Sequence, residues 1–260
     1  MNTVVLAIPF GIAIGLVVGA IGGGGAILAL PVLVYILGEE VGPASTASLV
    51  VVAIAAGVGA GALALRGHVC WRVALTFTGP AAAGAVVGTI ANTAVSGVAL
   101  ILAFVPVMLV ASAATWQRAA QNESEDTGRC PEVAVDRLVG AGLGVGVLTG
   151  FFGVGGGFLI VPVLTLWLGF SFRRAVATSL VIITLTGCAA LVSHLAIGAS
   201  IDIGVTIALA LSTAVGALAG SVYAQRVPQA MLGRAFAVVV ALLALFLLVD
   251  TLARGGPPGG

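Results

Sequence analysis

Eight apolar stretches, at residues 3–21, 44–65, 72–92, 95–116, 136–152, 174–197, 203–223 and 230–252, account for most of this chain. At 1.5 Å per residue, most of them can cross the roughly 30 Å hydrocarbon core of a bilayer as helices. A soluble fold could not keep such runs in water, because only 7% of the side chains are charged, against about a quarter in ordinary soluble domains. A chain dissolved in lipid has the opposite need and must avoid charge. The runs are continuous, whereas barrel strands alternate over about ten positions. The expected fold class is an all-α polytopic membrane protein. The first stretch lacks the basic leader of a cleaved signal peptide and has the length of a span, so it is expected to be retained.

Two further apolar stretches, 26–37 and 158–169, are too short for ordinary spans, and each follows a glycine cluster. Shortness beside glycines predicts a broken or re-entrant helix. The polar interval Gln117–Asp136 divides the chain into a first transmembrane repeat (1–116), a linker loop (117–136) and a second repeat (137–260). A single ungapped shift of 131 residues superposes the halves. It places Gly11, Gly15 and Gly19 on Gly142, Gly146 and Gly150, and Gly22, Gly24 and Gly25 on Gly153, Gly155 and Gly156. Pro31-Val32-Leu33 falls on Pro162-Val163-Leu164, Leu37-Gly38 on Leu168-Gly169, and Ser48-Leu49-Val50 on Ser179-Leu180-Val181. A register that pairs prolines, glycine clusters and serine together predicts an internal duplication, as transporter folds commonly show.

Arginine placement predicts the topology, because positive residues concentrate on the cytoplasmic side. If each short element crosses the membrane, each half has five crossings and the halves are inverted. Arg66, Arg72, Arg118, Arg129, Arg137, Arg173, Arg174, Arg226 and Arg234 then share one side, and Arg254 alone takes the other. If the short elements turn back, the ten arginines divide six against four. The first arrangement is expected. It describes a multi-pass protein of the plasma (inner) membrane with both termini outside and the central loop in the cytoplasm. It also requires unwound backbone within the membrane, which is tolerated only where protein or a polar cavity covers it.

The net charge is +1, all ten basic residues are arginine and no basic patch forms, so nucleic acid is not an expected partner. Cys70, Cys130 and Cys188 have no CxxC spacing and no histidine cluster nearby, which indicates neither a disulfide framework nor a zinc site and leaves them as packing residues. No metal and no cofactor is expected. No nucleophile with an adjacent base and no Walker-type loop appears, which disfavours an enzyme or an ATP-driven pump. Deep carboxylates of the kind that carry cations or protons are nearly absent. Asp202 and Asp250 are expected at solvated segment ends, Glu39 and Glu40 there or in proton coupling, and His68 and His194 as hydrogen-bonded histidines.

The candidate site lies at the glycine clusters. Gly23, Gly24 and Gly25, with Gly155, Gly156 and Gly157, stand just before short apolar helices, where free backbone N–H groups and the helix dipole favour an anion. Inversion would bring the clusters together near the midplane. Thr46 and Ser48, with Thr178 and Ser179, follow at the opening of the next long helix, where hydroxyls cap the helix or donate to an oxyanion. Pro31 and Pro162 are expected to bend the short helices. Arg173 and Arg174 would draw anions from the cytoplasm or simply set orientation. A path of backbone donors and hydroxyls without fixed charge suits a small oxyanion that must bind and leave again.

These residues resemble the sulfite exporter TauE/SafE family of membrane permeases. The resemblance rests on GLVVGAIGGGGAILALPVL and GVGVLTGFFGVGGGFLIVPVL, each followed by a helix opening, ASTASLV or AVATSLV. It implies a secondary transporter exporting sulfite, sulfoacetate or related sulfur-containing anions under an ion or membrane gradient, with a passive anion channel as the alternative. The half-sites are unequal: Ala26 stands opposite Gly157, and Thr46-Ala47 opposite Ala177-Thr178. The expected partners are the small anion and the lipid bilayer, and glycine-rich faces leave a homodimer open.

Overall fold

The computed structural model describes residues 3–23, 26–38, 41–92, 97–121, 130–152, 157–196 and 203–254, and among these the regular structure is entirely helical. In chain order the elements are α1 (Thr3–Ile21), α2 (Ala26–Pro31), α3 (Val41–Ala64), α4 (Trp71–Asn92), α5 (Gly97–Gln121), α6 (Val135–Phe152), α7 (Gly157–Pro162), α8 (Phe172–Ala196), α9 (Ile203–Tyr223) and α10 (Gln229–Arg254). Seven of the described helices are long and apolar enough to cross a membrane. Their outward faces carry Ile90, Leu211, Val215 and Leu252, all more than half exposed. Such a surface is stable only against lipid, and the protein is a polytopic membrane protein.

The two short elements are built alike. Each α-helical turn ends at its proline and continues as a π-helical turn, Val32–Ile36 after Pro31 and Val163–Trp167 after Pro162. The hydrogen bonds then span five residues, from Leu37 N–H to the Val32 carbonyl and from Leu168 N–H to the Val163 carbonyl. Each element closes on a glycine with positive φ, Gly38 at 73° and Gly169 at 74°, a left-handed stop that side chains resist. The boundaries of α2 and its π turn reappear 131 residues later in α7 and its own. At eleven residues, each reaches only about 16 Å as helix. The helix α5 runs on to Gln121 and α6 starts at Val135, so both enter the polar interval read from the sequence.

The GlyxxxGly series pair helices across the two halves. A Cβ at Gly15 or Gly19 of α1 would strike the backbone of Thr213 or Ala217 on α9, and one at Gly216 or Gly220 would strike Ile12 or Leu16 in return. The second half repeats the arrangement with roles exchanged: Gly146 and Gly150 of α6 lie on Ala81 and Ala85 of α4, while Gly84 and Gly88 lie on Leu143 and Val147. Small residues let these backbones touch, which supplies the dispersion contact that holds helices together in lipid. Each half thus lends its first helix to the fourth helix of the other.

Between these pairs α3 and α8 cross. Gly187 faces Ala53, Gly57 faces Thr184 and Gly59 faces Leu180, so the partner numbers fall as the chain number rises and the helices run antiparallel. By contrast, α1 and α9 run parallel, since Ile12 meets Gly216 and Leu16 meets Gly220. The core beside the crossing includes the fully buried Phe77, Phe158, Phe236 and Met108. Phe158 meets Phe104 edge-on, with ring centroids 5.3 Å apart.

Candidate functional site

The glycine clusters meet at the crossing. Gly22 ends α1 with φ +78°, its N–H bonded to the Val18 carbonyl at 2.8 Å. That turn leads the chain away from α1 toward the other half. A Cβ at Gly22 would lie 2.9 Å from the Ser179 hydroxyl, and one at Gly23 would fall on the carbonyl of Gly157. Gly157 in turn packs against Ile183 in the middle of α8. Residues from both halves therefore converge: Gly22 and Gly23 from the first, Gly157 and Ser179 from the second. Gly24, Gly25, Gly155 and Gly156 lie outside the described residues, as do Glu39, Glu40 and Asp202.

The hydroxyls are not caps. The helices α3 and α8 begin at Val41 and Phe172, so Thr46, Ser48, Thr178 and Ser179 sit one to two turns inside them. Ser48 Oγ donates to the Ser45 carbonyl at 2.7 Å, and Ser179 Oγ donates to the Val176 carbonyl at 2.9 Å. Serine and threonine inside a helix commonly bond back in this way. Thr46 is buried. Thr178 is turned elsewhere, its oxygen accepting the Cys70 N–H at 3.2 Å. Ser179 reaches the glycine contact, and Thr178 reaches the loop between α3 and α4.

That loop carries a feature the cysteine spacing gave no sign of. Cys70 and Cys130 form a disulfide across 60 residues of sequence, which corrects their reading as packing residues. Folding brings the α3–α4 loop against the end of the linker, a proximity that spacing along the chain cannot encode. Cys188 is free and exposed. Asp250 also departs from expectation: it is buried and partnered in α10 rather than solvated. His68 is half-buried and partnered, whereas the side chain of His194 is outside the described set.

The arginines gather at one end of the bundle. Arg174 donates to the Gly67 carbonyl at 3.5 Å and to Cys130 Sγ at 3.7 Å, tying the start of α8 to the α3–α4 loop and the linker. Arg173 donates to the carbonyls of Gln225 and Val227, reaching the α9–α10 connection. Arg234 lies over the Trp116 ring, 5.8 Å from its centroid. Arg66, Arg72, Arg118 and Arg226 stand on these same loops and helix ends. A cleft here is lined by Thr115, Arg118, Thr165, Phe170 and Gln229. Thr165, in the second short element, is a polar lining residue that the sequence reading did not single out; its hydroxyl bonds back to the Val161 carbonyl at 2.9 Å. A second, smaller cleft joins Arg173 to Gly19, Ala20 and Ser221, and the buried Arg173 Nε there has no hydrogen-bond partner.

Residues 7–247, which include both glycine-led elements, match the family described as sulfite exporter TauE/SafE. The chain belongs to the TauE/SafE family. This is a family of membrane permeases rather than enzymes. Two curated relatives, each called a probable membrane transporter protein, come from Xylella fastidiosa strains 9a5c and Temecula1. Each is 34% identical over 172 residues, which cover 63% of this chain and 63% of the relative. The match thus spans less than two thirds of those relatives' length. No solved structure matches the chain. Within the TauE/SafE match lie Gly23, Gly157 and Ser179 at the crossing and the arginines from Arg66 to Arg234.

Proposed function

We propose that this chain is a secondary transporter exporting small sulfur oxyanions such as sulfite, or organosulfonates such as sulfoacetate, through a site between its two glycine-led elements. The observation that carries the reading is the meeting of Gly22 and Gly23 with Gly157 and Ser179 at the α3–α8 crossing. Gly23 and Gly157 there would offer backbone N–H groups, which bind oxyanions without a fixed charge that would hold them too long. Membership of the sulfite exporter family supplies the substrate class. Gly23, Gly24, Gly25, Gly155, Gly156 and Gly157 would donate from the backbone, with Thr46, Ser48 and Ser179 supplying hydroxyls. Pro31 and Pro162 would place the change of helical pitch beside the bound anion.

Ser179 must give up its Val176 acceptor to reach a substrate. Exchanging one modest hydrogen bond for another favours binding that is easily reversed. Ser179→Ala is expected to raise the sulfite concentration for half-maximal flux about three- to tenfold, matching a hydrogen bond of roughly 0.5–1.5 kcal/mol, with little change in maximal rate. An unchanged half-saturation would remove Ser179 from the site.

The proposed topology is two inverted repeats with the arginine-rich end in the cytoplasm. It draws support from the antiparallel course of the equivalent helices α3 and α8 and from the Arg174 contacts that gather loops of both halves at one end. In a Cys188→Ser background, a cysteine replacing Arg226 should label only from the cytoplasm, and one replacing Ala91 only from outside. The reverse pattern would invert the orientation, and labelling of both from one side would refute the crossing of the short elements.

Purified protein in liposomes, given labelled sulfite, sulfate, thiosulfate or sulfoacetate with and without a proton gradient, tests the function. Saturable, gradient-dependent sulfite flux is expected. Unsaturable flux insensitive to gradients would make the protein a channel, and no flux of any anion would overturn the reading.

A further inference from the structure

The Cys70–Cys130 disulfide stands at the arginine-rich end of the bundle, the end proposed above to face the cytoplasm. Cytosolic disulfides are kept reduced unless they are transient, catalytic or sensing. The surroundings of this one fit chemistry better than bracing. Cys70 is buried, whereas Cys130 is exposed and therefore open to attack from solution. The guanidinium of Arg174 lies 3.7 Å from Cys130 Sγ. The backbone N–H of Cys70 is bonded to Thr178, the immediate neighbour of Ser179 at the glycine contact. The covalent bond thus joins the linker to the α3–α4 loop, and the hydrogen bonds of Thr178 and Arg174 tie both to the first turns of α8.

We propose that this disulfide is a latch opened by sulfite itself, so that the transported class of anion also regulates its own transporter. The inference rests on sulfite as substrate and names a modification at a separate place. The lone pair on the sulfite sulfur attacks Cys130 Sγ, the new S–S bond forms, and the Cys70–Cys130 bond breaks with its electron pair leaving on Cys70. The products are an S-sulfonate on Cys130 and a thiolate on Cys70. Sulfite sulfur is oxidised as Cys70 is reduced, and no further oxidant or reductant is needed. The reverse step, attack of the Cys70 thiolate on Cys130, expels sulfite and restores the bridge.

Access and charge select the position of attack, as in any exchange at a disulfide. Cys130 is the exposed sulfur, and Arg174 draws the incoming dianion and then neutralises the sulfonate it leaves behind. Cys70 departs as the buried thiolate within the same cluster. Opening the bond frees the linker from the α3–α4 loop and relaxes the tie through Cys70 N–H to Thr178. Closing it restores that tie when sulfite falls.

The test uses the full-length protein in detergent and in liposomes. After treatment with sulfite, intact-mass and peptide analysis should show one SO3 group on the Cys130 peptide and a free thiol at Cys70, both lost on sulfite removal. In Arg174→Gln the sulfonation rate should fall about tenfold, while cleavage by an uncharged phosphine, tris(3-hydroxypropyl)phosphine, keeps its rate; equal slowing of both would mean a merely structural role and overturn the charge-guided latch. Wild-type flux should begin with a lag on first exposure to sulfite, and the Cys70→Ser/Cys130→Ser variant should lack it; flux without a lag in the wild type would overturn the latch. Sulfonation absent from the wild type while sulfite flux persists overturns the latch and leaves the transport reading intact. Sulfonation present without flux in any variant keeps the chemical site and overturns the transport reading. Cleavage by glutathione but not by sulfite makes the bridge a thiol sensor and overturns the proposal.

Discussion

Gly23→Ala is expected to abolish sulfite flux while leaving the protein in the membrane. The added Cβ would fall on the carbonyl of Gly157, which belongs to the backbone of the other half and cannot swing aside as a side chain can. Relief requires α2 and α7 to separate, and their contact is the place where the two halves of the proposed site meet. Overpacking of this kind costs about 1–3 kcal/mol, and more where backbone is struck. At the upper end the competent arrangement would lose about a hundredfold in population. Gly61→Ala is the control, since a Cβ there meets nothing within 4 Å. Flux is measured in liposomes and normalised to protein that elutes as a single folded species. Wild-type flux from Gly23→Ala would show that the contact has no part in transport.

The second large effect is on stability and should appear twice. Gly146→Leu and Gly15→Leu each drive a side chain into the backbone of a partner helix, Gly146 toward Ala81 and Gly15 toward Thr213. The two contacts occupy equivalent positions of the repeat, so both variants should lower the melting temperature in detergent by similar amounts. A loss of about 3 kcal/mol corresponds to roughly 6–12 °C in a chain of this size. Gly140→Leu and Gly144→Leu, whose added carbons would stand in open space, should change it little. Equal tolerance of all four would mean that close backbone approach does not hold the bundle together.

Much of this fold is written locally in the chain. Hydropathy alone brings out α1 and α9 at their true ends, because a span is a property of consecutive residues. The likeness of the two short elements is legible for the same reason, since Pro31 and Pro162 with their flanking glycines sit at one fixed offset. What hydropathy cannot express is which glycine series faces which. The sequence shows Gly11, Gly15 and Gly19 on one helix and Gly216 and Gly220 on another, but any two small-residue faces could pair in lipid. The exchange of first helices between halves therefore appears only in three dimensions. The same limit hid the Cys70–Cys130 bond, which depends on the α3–α4 loop meeting the linker. In the candidate site, the glycine clusters stood out because they recur at one offset beside the two prolines, whereas the meeting of Gly23 with Gly157 appears only in three dimensions. The serines were legible as polar residues but not as helix-bonded ones, since a hydroxyl's choice of acceptor depends on which turn it occupies.

The exchange of first helices also constrains how the protein is made. When α1 leaves the ribosome, its partner α9 lies about 200 residues further along the message. Until then its glycine face has only lipid, or a borrowed neighbour, to cover it. The complementary pair, α4 with α6, forms much earlier, because only α5 and the linker separate them. Assembly should therefore proceed from the middle of the chain outward, with the earliest segment docking among the last. Neither half made alone could finish its own packing, yet two halves synthesised as separate polypeptides in one cell hold every surface needed to find each other.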